Sequence, residues 1–337
     1  MKIAIAGAGI SGAYIHRLLK ATGHDVTIFD LYHKNNCNIN SCAWGTSKEF
    51  EGLVEYVGLN PDDYILRRID HIWFDEIKIK ANLLTIDKPK LIKDLLGDAE
   101  IKYTLYGPSR SDYDRIIDAT GVQRAFLPRI DNDLISPCYQ YRIISPDKPA
   151  AMRIRMSRVG YAWSFPLSDH EFHIGAGSLV MDPVEILKDL SWLGHQNVKQ
   201  CACYSKVRLT APRGSRPFTC GYGVGEYNSD GSVKTRGEIW GIGEAIGTVA
   251  PLAGDGIVHS MKSALLLLEN IDSPADYERD ILREFEWMEK EREVVERLTQ
   301  GKMIGVGSAL VFQRNTKRMD MKISLWNALK ILRRAVK

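Results

Sequence analysis

The six residues Gly7-Ala8-Gly9-Ile10-Ser11-Gly12 constrain this chain more than any others. They follow an apolar run, residues 2–6, that suits a buried strand. From Gly9 to about Thr22, the residues Ile10, Ala13, Tyr14, Leu18 and Leu19 recur at helical spacing, and Gly23 is placed to end the helix. Residues 25–29 form a second β-rich run that ends in Asp30. The segment therefore reads as one βαβ unit. Glycines at this spacing let the backbone turn tightly and approach a pyrophosphate, while the helix N-terminus turns its partial positive charge on that anion. Gly7, Gly9, Ile10, Ser11 and Gly12 are the candidate contacts. Asp30, 18 residues after Gly12, is placed to accept hydrogen bonds from ribose hydroxyls and would repel a 2′-phosphate.

The turn alone does not choose between NAD and FAD. More than 200 residues downstream, a strand-like run (residues 238–242) leads into Gly243-Glu244, and Gly254-Asp255-Gly256-Ile257 opens a helix running through about Leu268. A second glycine turn feeding a second helix suits a long cofactor lying extended across the sheet, and so points to FAD. Glu244 is placed to hold a ribityl hydroxyl, and the later helix to direct its positive end at the pyrimidine edge of an isoalloxazine.

The rest of the chain narrows the class further. A net charge of +3 over 337 residues gives no nucleic-acid signature. No run of 18 apolar residues is present, and Met1-Lys2 leads directly into the first strand instead of a signal-peptide core. Six cysteines without zinc-like spacing suggest reduced thiols in a cytoplasmic protein and no metal. Residues 31–44 break into a polar loop; a helical segment is expected near residues 90–96 and a strand over residues 100–105. Residues 115–121 read as a strand entering a tight turn. From 122 to 234 the pattern is β-rich, with one helix near 184–193 and a hairpin near Gly221–Gly225. Ser273 and Pro274 open a highly charged helix with Tyr277, Ile281, Phe285 and Met288 on one face. The expected organisation is α/β. Residues 1–121 with 235–272 make a Rossmann-like FAD-binding part, 122–234 an antiparallel β-sheet substrate domain, and 273–337 a short helical C-terminal region.

Several further segments resemble the geranylgeranyl reductase family of flavoproteins, which share the p-hydroxybenzoate hydroxylase-type fold. The most specific is Tyr161-Ala162-Trp163-Ser164-Phe165-Pro166, followed after eight residues by Gly175-Ala176-Gly177. Cys42-Ala43-Trp44-Gly45 is similar to the family's cysteine-containing flavin loop. Lys88 stands where arginine is usual, Leu105 falls where the family contacts adenine, and Asp118-Ala119-Thr120-Gly121 resembles the turn ending its third dinucleotide strand. Gly243-Glu244 and Gly256-Ile257 match its C-terminal flavin motif, with Glu in place of the more widespread Asp.

The resemblance implies a reductase that saturates isoprenoid double bonds in lipids by hydride transfer from reduced flavin N5. The implied cofactor contacts are Gly7, Gly9, Ile10, Ser11, Gly12, Asp30, Cys42, Ala43, Gly45, Lys88, Leu105, Gly121, Gly243, Glu244, Gly254, Asp255, Gly256 and Ile257. Tyr161, Trp163 and Phe165 alternate at strand spacing, so they share one face. That pattern serves core packing as well, but the resemblance makes it a substrate lining. Cys42 is the candidate proton donor. No second nucleotide domain is visible, which leaves the electron donor as NAD(P)H or an external protein such as ferredoxin. A monooxygenase acting on an aromatic or quinone substrate is the alternative on the same fold. The chain is short for the family, which puts its usual C-terminal lid in question.

Residues 314–337 hold eight basic side chains against the single acid Asp320. Leu325, Leu329, Leu332 and Val336 share a helical stripe opposite Lys330, Arg333, Arg334 and Lys337. Such a helix suits the anionic inner face of a cell membrane, or docking on the protein with its basic face in water.

Overall fold

A computed structural model describes residues 1–31, 42–145, 151–190, 192, 198–212, 220–221, 224–227, 233–236 and 238–336. The strands are β1 (Lys2–Ala6), β2 (Asp25–Asp30), β3 (Gly45–Ser47), β4 (Ile65–Phe74), β5 (Ile77–Ile86), β6 (Ile101–Tyr103), β7 (Arg115–Asp118), β8 (Ile135–Ile144) and β9 (Met152–Ser157). They continue as β10 (Gly160–Pro166), β11 (Glu171–Ser178), β12 (Val198–Arg208), β13 (Cys220–Gly221), β14 (Val224–Tyr227), β15 (Val233–Arg236), β16 (Glu238–Gly241) and β17 (Met321–Lys322). The helices are α1 (Ile10–Ala21), α2 (Glu49–Tyr56), α3 (Lys88–Leu96), α4 (Pro183–Lys188), α5 (Ile257–Glu269), α6 (Pro274–Thr299), α7 (Val306–Thr316) and α8 (Leu325–Arg334).

Two sheets organise the chain. The first has the order β13-β16-β7-β1-β2-β6, and β16, β7, β1, β2 and β6 run parallel. Its central strand β1 is buried from Ile3 to Ala6, as parallel strands inside a sheet are, and α1 packs both on β1 and against α5. The second sheet has the order β12-β8-β11-β10-β9-β4-β5-β17, with β3 added to β5. All its pairings are antiparallel except β4 with β9.

Residues 46–85 carry none of the recognised motifs, yet they supply α2 and the β4–β5 hairpin of the second sheet. The second sheet thus draws strands from both sides of residue 121. Ser273 caps α6 by accepting from the Asp276 amide at 3.3 Å, and Tyr277, Ile281, Phe285 and Met288 are all buried. The loop expected over residues 31–44 and the hairpin near Gly221–Gly225 lie largely outside the described residues.

The C-terminal region is wrapped onto the second sheet. Val294 and Leu298 of α6, Phe312 of α7 and Leu329 and Leu332 of α8 join its core. The apolar stripe of α8 is therefore spent inside the protein: Leu329 and Leu332 are buried, and Leu325 and Val336 are half-buried against the same core. Arg334 is tied to Asp75 and Glu76 at the β4–β5 turn. Trp326, Lys330 and Arg333 remain exposed, and Lys337 lies outside the described residues.

Candidate functional site

One cavity of about 1210 Å³ collects nearly all the residues singled out by the sequence. At one end stands the β1–α1 turn. Gly7 takes φ +104°, and a Cβ there would lie 2.4 Å from the Ala119 carbonyl oxygen. Gly9 precedes α1 with open space around its missing Cβ and no side-chain cap, so the first amides of α1 are left for a ligand. Gly7, Gly9, Ile10 and Ser11 line the cavity. Gly12 does not, because its role is packing: a Cβ would lie 1.9 Å from the Gly7 carbonyl oxygen. Gly243 is also off the wall, with φ +63° and a would-be Cβ 2.8 Å from the Ser11 hydroxyl. Asp30 reaches the wall from the end of β2, where its carboxylate accepts from the Leu31 amide at 2.8 Å. Lys88 at the start of α3, the exposed Leu105 and Gly121 complete this end.

Further along, Glu244 lines the wall and accepts from the Arg208 amide at 2.7 Å. Burial pushes its carboxyl up to about 7. Gly254, Asp255, Gly256 and Ile257 form the next stretch of wall, where Asp255 accepts from the Ile257 amide at 3.3 Å. Burial raises the Asp255 carboxyl to about 7 as well. Gly256 offers α5 no side-chain cap, so a second helix N-terminus opens on the same cavity.

Cys42, Ala43 and Gly45 line the wall opposite β10. The Cys42 carbonyl accepts from the Gln140 side-chain amide at 3.2 Å, and Gln140 in turn accepts from the Trp163 indole at 3.1 Å. Trp44 holds the loop with a left-handed backbone (φ +61°) and an edge-to-face contact with His173 at 4.4 Å. Tyr161, Trp163 and Phe165 do share the cavity face. Their rings fit because of the glycines across from them. A Cβ at Gly175 would lie 2.3 Å from the Trp163 ring, and one at Gly45 2.5 Å from Phe165. The Tyr161 hydroxyl does not project as a free polar handle; it donates to the Ala253 carbonyl at 2.5 Å. Burial pushes that phenol well above its ordinary range.

Beyond the aromatic strip the cavity is apolar, with walls from Phe74 and Leu83 on the β4–β5 hairpin, Ile154 on β9, Phe312 on α7 and Ile331 and Leu332 on α8. The C-terminal region lines this part of the cavity. Sequence reasoning missed Gln140, the Phe74–Leu83 wall and Glu291. Gln140 and the cavity-lining Cys138 alternate on β8, a faint signal; nothing local marks the others. Glu291 on α6 is fully buried and accepts from the Leu252 amide at 3.1 Å, which anchors the loop before α5.

No protein-family profile matches the chain. An uncharacterized protein of Methanocaldococcus jannaschii is 23% identical over 349 aligned positions, covering 88% of this chain and 91% of that one. A geranylgeranyl bacteriochlorophyll reductase-like protein from Thermoplasma acidophilum superposes with a TM-score of 0.71 at 17% identity, over 98% of this chain and 95% of that one. The fold is that of the p-hydroxybenzoate hydroxylase-type flavoproteins. A probable FAD-dependent monooxygenase from Pseudomonas aeruginosa matches at TM-score 0.58 and 14% identity, over 93% of this chain and 99% of that one. A flavin-dependent halogenase matches at 0.55 and 14%, over 99% and 71%. This range of chemistries on one fold means that function must be argued from the site.

Proposed function

We propose that the chain is an FAD-dependent oxidoreductase that saturates carbon–carbon double bonds in isoprenoid chains of lipids. The observation carrying this reading is that two helix N-termini with glycine N-caps and a run of apolar wall open on one cavity. The residues fit the cofactor: Gly9 leaves open the space a side chain would fill, Gly7 allows the tight turn against Ala119, and Glu244 on the same cavity wall is the residue proposed to hold a polyhydroxyl chain. When bound, reduced flavin would supply a hydride. The chain's own contribution is to orient the alkene and exclude water. Trp163 and Phe165, each braced against a glycine, would hold it, and the hydrocarbon beyond would lie among Phe74, Leu83, Phe312 and Leu332. An unactivated alkene is poorly electrophilic, so such positioning must carry much of the rate. Cys42 is the proton donor proposed for the second alkene carbon.

Electrons would come from NAD(P)H or a small redox protein such as ferredoxin. We place the enzyme at the cytoplasmic face of an anionic membrane, met by Trp326, Lys330 and Arg333; among the described residues no helix is long and apolar enough to cross a membrane. Native mass spectrometry of the purified chain tests the reading, with bound FAD and a co-purifying prenyl lipid expected. Chain-dependent alkene saturation without oxygen supports a reductase. Oxygen consumption coupled to an aromatic substrate supports a monooxygenase instead, and colourless protein that takes up no FAD ends both readings.

A further inference from the structure

Cys201 and Cys203 lie two residues apart on β12, at an edge of the second sheet. Residues so spaced share a face, and the Sγ atoms are 4.0 Å apart. Cys201 is half-buried, whereas Cys203 is 7% exposed. The ladder shifts register between Lys199 and Cys201, so this end of the strand is already distorted. Cys203 also ends a row that crosses the sheet. It pairs with Gln140, Gln140 with Gly175, and Gly175 with Trp163. Paired residues in antiparallel strands point to the same face. The dithiol therefore stands on the cavity face, beside the amide that holds both Trp163 and the Cys42 loop.

We propose that Cys201 and Cys203 form a redox-active dithiol that exchanges reversibly with a small disulfide such as oxidised glutathione. The more accessible Cys201, as its thiolate, attacks one sulfur of the external disulfide; that bond breaks and one external thiol leaves. Cys203 then attacks the Cys201 sulfur of the mixed disulfide, forming the internal bond and expelling the second external thiol. The protein loses two electrons and two protons, and the external disulfide gains both. A strand rises about 3.3 Å per residue, so the two Cα atoms stand about 6.6 Å apart, near the upper end of the span a disulfide bridges. Closure draws the strand together, and a bridge under such strain is easily reduced again. Because Cys203 pairs with Gln140, oxidation would tug on the residue that sets the Cys42 loop.

The test needs no flavin, so it stands apart from the proposed function. The full chain is equilibrated in glutathione buffers of rising oxidised fraction, quenched in acid, alkylated and digested with trypsin. Cleavage after Lys199 and Lys206 leaves both cysteines in one peptide, residues 200–206. The expected product is that peptide two hydrogens lighter and unalkylated, restored by dithiothreitol. Cys203→Ser should instead trap Cys201 with glutathione attached, and Cys201→Ser should leave Cys203 alkylated. The proposal is overturned if both thiols stay alkylatable in the most oxidising buffer. It is equally overturned if either pairs with another cysteine, or if Cys201→Ser leaves the oxidation of Cys203 unchanged.

Discussion

Glu291 is a carboxylic acid with no exposure to water, and its substitution by glutamine should change how stability depends on pH. One oxygen accepts from the Leu252 amide at 3.1 Å, and the Asn315 side-chain amide also faces the carboxyl. Burial raises the carboxyl from 4.5 to about 7. The sign follows from which state holds the proton more tightly. Here the folded state does, so the stability the group contributes is fully present below pH 4.5 and lost as pH rises to about 7. At about 1.36 kcal/mol per pH unit, that interval is worth roughly 3 kcal/mol. Glutamine keeps an acceptor for Leu252 but cannot ionise. Its own orphaned amide N–H adds a cost of about 1–3 kcal/mol that does not vary with pH. The expected result of urea titrations between pH 4.5 and 8.5 is a stability difference, Glu291→Gln minus native, that rises by about 3 kcal/mol with pH. Parallel curves for the two proteins would refute the buried-carboxyl argument, whatever their absolute offset.

Two further outcomes follow from the packing. Gly12→Ala would drive a methyl group to 1.9 Å from the Gly7 carbonyl oxygen, so α1 must shift off the turn. FAD uptake, followed by quenching of flavin fluorescence, should weaken by at least about tenfold, and an unchanged dissociation constant would remove Gly12 from the nucleotide site. For the membrane, Trp326→Ala, Lys330→Glu and Arg333→Glu together alter only exposed side chains of α8. Sedimentation with anionic vesicles should lose the combined protein while its urea midpoint stays put, at about 1 kcal/mol of attraction per basic residue; retained binding would exclude this face as the contact.

The sequence by itself determined the parts whose chemistry is local. A glycine turn between strand and helix must place amides at a helix N-terminus, so Gly7, Gly9 and Asp30 were legible as one candidate site and Glu244 and Gly256 as its continuation, and all five line the same cavity. Alternation put Tyr161, Trp163 and Phe165 on one face, and a capping serine with periodic apolar residues set α6. Only the tertiary structure decided what those elements meet. Whether a glycine faces a ligand or a neighbouring backbone depends on what packs against it, which is why Gly9 opens on the cavity while Gly12 and Gly243 do not. The Tyr161 hydroxyl found a backbone carbonyl from a loop 92 residues away, and Gln140 joined Trp163 to Cys42 across two strands and a loop. The amphipathic stripe of α8 was visible from periodicity, yet burial against the second sheet made it a wall of the cavity. Apolar surface is satisfied equally by lipid or by protein, and sequence spacing carries no information about which one lies opposite.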